Sequence, residues 1–482
     1  MHEIFEKIPW WTHQKSAIEI LSAYIKEFNS RQTDKYSLIT IPTGTGKTGI
    51  IAGISQLNND INSALIIAPR VSLRDQLYLN IGDIFFSQFN IDKNSLPKKV
   101  ISLDQHNPSK DEFKDSPLII VTTIQKLVSM SKANIDEFNI LKDSISMILF
   151  DEGHYAPAIE WSQIIKQFDC PTAIFTATPY RNDLKPFNIS PEHSFIMTMD
   201  EAIENNIVRN LQIKSFPETK SDIEFIDNFL HFFEGKRDEN TRALIRCNNS
   251  SEINRLSQLL IEKGYRVIGI HENFNRETPD WLFRKVPNPL STPAEIWLHQ
   301  YKLLEGIDDS RFRIAAIYGQ LGNDRSIIQQ IGRIIRNPNL IPNQYAWILD
   351  WDNHITNVWE NFRKYDTQLR RDGKNCLEIL TNPNSAIEFL TRQPTYFYFG
   401  RGFKTKLDFD NLNIFTDLQI PLSLNLYEVD AKYLRNNLLR LCIIFSVKVI
   451  KNLSEFDNTL TGLHSQINPA ILPFFIEFHQ NS

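Results

Sequence analysis

The sequence predicts an α/β fold: two tandem parallel-sheet units followed by a smaller C-terminal α+β domain. Three observations carry this reading. Five short apolar runs lie between residues 36 and 175, a second series lies between residues 243 and 349, and segments long enough for helices separate the runs of each series. Continuous apolar strands joined by helical crossovers are covered on both faces, which is how a parallel sheet is buried.

Taken in order, the strands of the first series are residues 37–41, 64–68, 118–121, 146–150 and 172–175, and residues 49–57 read as a helix after the first of them. Residues 183–210 carry turn residues and little periodicity, which places a boundary near residue 200 and a first domain at residues 1–200. The second series is residues 243–245, 267–270, 296–298, 314–318 and 347–349, with a helix at 251–263, in a domain of residues 201–374 expected to face the first. Residues 272–293 hold Pro279, Pro287, Pro289 and Pro293, too many for a regular element. They read as a long loop that either touches substrate or only connects. At residues 375–482 the alternation ends, and aromatic runs at 395–399 and 422–429 with a helix near 431–449 make a third domain of unassigned role. Its segment 396–404 reads as a packed strand in preference to a base-stacking surface.

With 482 residues, 42% of them hydrophobic and 23% charged, the chain has the profile of an ordinary globular protein, which excludes wholesale disorder. The greasiest stretch, residues 438–450, is broken by Arg440 and Lys448, so no membrane span is expected. The first residues lack the basic and then apolar pattern of a secretory signal, so a cytoplasmic location is expected. Cys170, Cys247, Cys376 and Cys442 are too far apart for a close-spaced zinc pattern or a dense disulfide framework. Lys+Arg 52 against Asp+Glu 57 leaves a net charge of −5, so a uniformly basic coat is excluded and any basic groove must be local.

The chemistry concentrates in a few segments. Ile41-Pro42-Thr43-Gly44-Thr45-Gly46-Lys47-Thr48 follows an apolar strand and precedes a helix, the setting of a phosphate loop. Glycines there let backbone N–H groups wrap the phosphates, Lys47 reaches the β- and γ-phosphates of ATP, and Thr48 is suited to ligate Mg²⁺. Ile41 stands where the general pattern has its first glycine. Asp151-Glu152-Gly153-His154 closes the 146–150 strand, at the carboxyl edge where parallel sheets bind ligands. Asp151 is the expected Mg²⁺ ligand, and Glu152 the group that orients the water attacking the γ-phosphate. Thr176-Ala177-Thr178-Pro179 follows the next strand, with hydroxyls suited to bonding those carboxylates. Gln329, Arg333 and Arg336 share one face of a helix, from which guanidinium forks can meet phosphate oxygens. Taken alone, that pattern is also an amphipathic helix with solvated arginines. Gly306 and Asp308 lie in a turn after the 296–298 run.

In this order and spacing, across residues 8–350, the segments resemble the motor core of helicase superfamily 2. The resemblance implies two RecA-like domains with ATP in the cleft between them. It makes Gln14, in Trp10-Trp11-Thr12-His13-Gln14, an adenine-reading glutamine, with Trp11 supporting the base. It assigns Arg70, Thr122 and Thr123 to a grip on the nucleic-acid backbone, and Thr176 and Thr178 to coupling hydrolysis with movement. Gly306 and Asp308 become the nucleotide-contacting turn of the second domain, Arg333 and Arg336 the arginine fingers, and His154 and Gln329 a bridge between nucleotide and motor halves. The sequence departs from common forms at Gly153, where alanine or cysteine is frequent, and at residues 297–301, which lack a threonine-rich approach to Gly306. Residues 176–181 and 304–308 look most like translocases of bacterial restriction and antiviral defence. The expectation is an ATP- and Mg²⁺-dependent motor that prefers DNA. An RNA-directed helicase and a nucleotide-gated subunit recruiting a nuclease or other effector protein stay open, and no membrane partner is expected.

Overall fold

A computed structural model describes residues 1–152, 163–177, 189–217, 221–275, 278–300, 303, 309–319, 324–351, 353–373, 396–399 and 402–406. Within them, the apolar runs become two seven-stranded, all-parallel sheets. The first contains β1 (Ser37–Thr40), β2 (Ala64–Ala68), β3 (Lys99–Ser102), β4 (Leu118–Thr123), β5 (Met147–Phe150), β6 (Thr172–Thr176) and β7 (Phe195–Ile196), in the order β3-β4-β2-β5-β6-β1-β7. Around it lie α1 (Thr12–Asn29), α2 (Lys47–Leu57), α3 (Val71–Leu79), α4 (Phe85–Ser87), α5 (Lys110–Asp115), α6 (Ile124–Ala133) and α7 (Ile135–Ser144). A short helix, α8 (Met199–Glu204), then leads to the second sheet.

That sheet contains β8 (Asn210–Ser215), β9 (Arg242–Arg246), β10 (Val267–Ile270), β11 (Leu282–Phe283), β12 (Ile296–His299), β13 (Phe312–Ile317) and β14 (Tyr345–Asp350), in the order β11-β10-β12-β9-β13-β14-β8. Its helices are α9 (Asp222–Lys236), α10 (Ser250–Glu262), α11 (Asp324–Ile334) and α12 (His354–Asp372). Both sheets belong to one compact unit. The other unit takes in Asp324 and Arg325 at the start of α11, and its remaining described part is an antiparallel pair, β15 (Tyr396–Phe399) and β16 (Gly402–Lys406). The expected strand at 422–429 and helix near 431–449 lie outside the described residues.

Burial of the strands follows the period of two. Leu65 and Ile67 of β2 enter one apolar layer, while Ala64, Ile66 and Ala68 enter the other. In the second sheet, Ala243 and Ile245 of β9 face one layer and Leu244 the opposite one. The strands absent from the sequence reading are at edges. β3 has the burial of a half-covered strand, β7 has two residues, and β8 alternates around a buried Leu211. The proline-bearing segment 272–293 is not wholly irregular either: β11 pairs in parallel with β10, aligning Gly269 with Leu282. Two residues suffice because Pro279 precedes the paired stretch and Pro287 follows it. Among the described residues no helix is long and apolar enough to cross a membrane.

Candidate nucleotide site

β1 delivers the phosphate loop. Gly44 (φ +91°) and Gly46 (φ +79°) take left-handed backbone conformations that side-chain-bearing residues rarely adopt, and α2 starts directly after them at Lys47. The Thr45 hydroxyl donates to the Pro42 carbonyl at 2.7 Å, which closes the turn. The loop is also held from behind by the first turn of α1. His13 Nε2 donates to the Thr45 carbonyl at 2.7 Å, which fixes the ring tautomer because a carbonyl can only accept. Burial lowers the pKa of His13, with the Thr45 bond opposing, so the ring is held toward its neutral form. Gln14 spends both ends of its amide on backbone: Oε1 accepts from Trp11 N–H at 3.1 Å and Nε2 donates to the Gly46 carbonyl at 3.0 Å.

β5 delivers the carboxylates. Asp151 N–H donates to the Ile67 carbonyl at 2.9 Å, extending the ladder with β2 by one rung, and Glu152 follows at φ +49°. A positive φ outside glycine is uncommon, and here it falls on the residue expected to handle water. Lys47 Nζ pairs with Glu152 and lies 3.5 Å from Asp151 Oδ1. Burial alone lowers the Lys47 pKa, but the two carboxylates outweigh it and hold the ammonium above its ordinary value. Burial pushes the Asp151 carboxyl up to about 6, with Lys47 opposing and Glu152 adding to the rise. Thr48 and Asp151 offer a hydroxyl and a carboxylate, hard oxygen donors of the kind Mg²⁺ takes. Thr176, fully buried at the end of β6, accepts from Ile41 N–H at 3.2 Å through its carbonyl, tying the strand of the coupling motif to the start of the loop.

The second sheet reaches the same place through α11. A Cβ on Gly332 would lie 2.6 Å from Thr43 Cβ, and one on Gly44 would lie 3.2 Å from Arg336 Cγ. The helix therefore rests on the phosphate loop at Gly332 with no room for a methyl group. It carries Gln329 and Arg333 but not Arg336, contrary to the expected shared face. α11 ends at Ile334, Arg209 N–H donates to the Ile335 carbonyl at 2.6 Å, and Arg336 bridges Val208, with Pro338 soon after disfavouring further helix. Gln329 and Arg336 are half-buried and Arg333 is 8% exposed. Two groups absent from the sequence reading hold this helix. Arg209 donates to the carbonyls of Ile334 (3.0 Å), Phe312 (3.3 Å) and Ser310 (2.8 Å), with burial pushing its pKa down to about 10. His299, at the end of β12, contacts Gln330 Nε2 at 3.1 Å. Burial, with the positive charges of Arg246 and Arg333, pushes its pKa down to about 3, so the ring is neutral.

Arg70 and Thr122–Thr123 emerge from neighbouring strands, whose register pairs Ala68 with Thr123. Arg70 is exposed, whereas Thr122 and Thr123 are buried, and the Thr123 hydroxyl accepts from Lys126 N–H as the cap of α6. The matching edge of the second sheet holds a further polar chain: His271 bonds Gln300 at 2.8 Å, Gln300 bonds the Asn248 carbonyl, and Asn248 bonds Arg246. These residues carry no motif that a single sequence could flag; only parallel pairing brings the ends of β9, β10 and β12 together. His154, Thr178, Gly306 and Asp308 lie outside the described residues.

Residues 7–181 match the type III restriction enzyme res-subunit family. No curated protein matches the chain. Among solved structures, the ATP-dependent Type ISP restriction-modification enzyme LlaBIII bound to DNA is similar over 74% of this chain, at 14% identity and a TM-score of 0.50, and the chain spans 30% of that enzyme's length. S. cerevisiae Dbp5 bound to RNA and ADP BeF3 is similar over 78% of this chain and 99% of its own, at 14% identity and a TM-score of 0.50. At such identities the likeness is one of fold, that of tandem RecA-like domains.

Proposed function

We propose that the chain is an ATP-dependent translocase or helicase acting on DNA, built on the motor core of helicase superfamily 2 and working within a restriction or antiviral-defence system. The match of residues 7–181 to the type III restriction enzyme res-subunit family and the fold shared with LlaBIII support this reading. The observation that carries this reading is the seat of α11 and the residues just after it on the phosphate loop, with Gly332 against Thr43 and, beyond the helix end, Arg336 against Gly44. One nucleotide site thus draws on both sheets, so hydrolysis can change how the sheets hold one another.

ATP is the substrate. Its β- and γ-phosphates compete with Glu152 and Asp151 for Lys47, and the phosphates, carrying the greater charge, take the ammonium. That exchange frees Glu152 from Lys47 to orient the attacking water. Thr48 and Asp151 would hold Mg²⁺, which would supply neutralisation of phosphate charge. Arg333 and Arg336 stabilise charge developing on the γ-phosphate, as bidentate guanidinium groups do. Arg70 grips the polynucleotide backbone on the first sheet, and the ends of β9, β10 and β12 form the corresponding grip on the second.

The test is ATP hydrolysis by the full chain with no polynucleotide, single-stranded DNA, duplex DNA and RNA in parallel. Stimulation by DNA above RNA is the expected result. Stimulation by RNA alone would make the protein an RNA-directed helicase. Hydrolysis indifferent to every polynucleotide would overturn the motor reading and favour a nucleotide-gated subunit that recruits an effector.

A further inference from the structure

The helical run that begins at Arg70 does not stay α-helical. α3 ends at Leu79, residues Asn80–Ile84 form one π turn, and α4 resumes at Phe85. A π turn carries one residue more than the α-helix it interrupts, and such turns recur at functional sites. Here it bears on α2, the helix that opens with the phosphate loop. Gln56 of α2, 1% exposed, donates through Nε2 to the Ile81 carbonyl inside the turn at 3.4 Å and to the Lys98 carbonyl at 3.0 Å.

Beyond the turn, the Phe85 ring lies against Gly49: a Cβ there would sit 2.9 Å from Phe85 Cε2 and 2.8 Å from Gln14 Nε2, the amide that holds the Gly46 carbonyl. The ring also stacks on Trp10 at 5.6 Å, whose indole fills the space left by Gly53. Gly49 and Gly53 are four residues apart, on one face of α2, and that face receives Phe85 and Trp10. Glycine is disfavoured inside helices relative to alanine, so two of them at this spacing mark a close approach that methyl groups would prevent.

We propose that the π turn is a lever joining the Arg70 end of α3 to the phosphate loop, with Phe85 as the positioning residue that transmits a shift of α3 to Gly49 and Gln14. This rests on the reading that Arg70 grips polynucleotide. Phe85 acts through Gly49 and Gln14, setting how tightly the occupancy of one site controls the geometry around the other.

The experiment measures ATP turnover of the full chain with and without saturating oligo(dT) for wild type, Phe85→Leu, Gly49→Ala and the double variant. For Phe85→Leu, basal turnover, the KM for ATP and oligo(dT) affinity should stay within about twofold of wild type, while stimulated kcat falls roughly tenfold. Gly49→Ala should lower stimulated kcat in the wild-type background and cost measurably less beside Phe85→Leu, where the shorter side chain leaves room for the methyl group. If Phe85→Leu folds poorly, Phe85→Met, closer in volume, takes its place. Stimulated turnover of Phe85→Leu equal to wild type would overturn the proposal. So would an equal loss in basal and stimulated turnover, which assigns Phe85 to packing alone, or additive effects in the double variant. A wild-type enzyme that no polynucleotide stimulates would instead remove the functional reading on which the lever rests.

Discussion

At the scale of single residues, the nucleotide site is a set of charges and amides already committed to one another. Lys47 is held by Glu152 and Asp151, and Gln14 is held by Trp11 and Gly46. Glu152→Gln should leave ATP bound but hardly hydrolysed, because the amide cannot activate water yet leaves Lys47 and the loop in place. Single-turnover hydrolysis beside equilibrium nucleotide binding measures both, and normal turnover would remove Glu152 from its role. Gln14→Glu keeps the acceptor for Trp11 N–H and loses the donor to the Gly46 carbonyl. An unpaired buried polar group costs about 1–3 kcal/mol, so the KM for ATP should rise roughly tenfold. Compared with GTP, the same variant separates two tasks: loss of loop support affects both nucleotides, whereas loss of base reading affects ATP alone. The bonds to Trp11 and Gly46 favour the first outcome.

At the scale of elements, two helices decide whether the site works. The first is α11, seated so closely that Gly332→Ala would place a methyl group 2.6 Å from Thr43. Lifting the helix moves Arg333 away from the loop, so kcat should fall at least about tenfold while the thermal midpoint shifts little. Arg333→Lys should rescue poorly in the same assay, since a point charge cannot replace a bidentate fork; full activity would exclude it as an arginine finger. The second helix is α2, whose carboxyl end is capped by the ammonium of Lys98 bonding the carbonyls of Ser55 (2.7 Å), Gln56 (2.9 Å) and Asn58 (3.0 Å). Burial pushes the Lys98 pKa down to about 8 from 10.5. Between those values the unfolded chain binds a proton that the folded chain lacks, so this group makes stability rise with pH across the window. Urea unfolding at pH 8 and pH 10 should show a rise of order 1–3 kcal/mol in wild type that is missing in Lys98→Met.

At the scale of the whole molecule, the connection between the sheets is clamped by the last helix of the second. Asp366 of α12 accepts from Met199 N–H at 2.8 Å and Asp200 N–H at 3.0 Å, at the start of α8. Arg363 pairs with Asp200, and Arg370 makes a two-pronged pair with Glu204 at 2.6 and 2.7 Å. These contacts differ in weight. Asp366 is buried and satisfies two helix-end donors, so Asp366→Ala should lower the unfolding free energy by about 1–3 kcal/mol. The Arg370–Glu204 pair is solvent-exposed, and Arg370→Ala should change it by no more than about 1 kcal/mol. Denaturant midpoints for the two variants test the ranking, and equal effects would contradict it.

The sequence by itself determined the α/β class, the central strands, the phosphate loop and the carboxylate pair at the end of β5, because each rests on local pattern: continuous apolar runs, glycines before a helix, acidic residues at a strand exit. It also placed Gln329 and Arg333 on one helix face, but not Arg336: α11 ends at Ile334, and Arg336 bridges Val208 in antiparallel fashion. Only the tertiary structure decided what that face meets. The contact of Gly332 with Thr43 joins positions nearly three hundred residues apart in the chain, and no local periodicity encodes it. The same holds for Arg209, just before β8, and His299 of β12, which support α11, and for Asp366, which reaches back to α8. Edge strands β3, β7 and β8 were illegible for a related reason: with one side unpaired and partly exposed, they lack the continuous apolar signature of a strand buried on both faces. The π turn was equally hidden: the sequence showed only a segment long enough for helices after the 64–68 strand, and the fit of Phe85 against Gly49 lies between two elements.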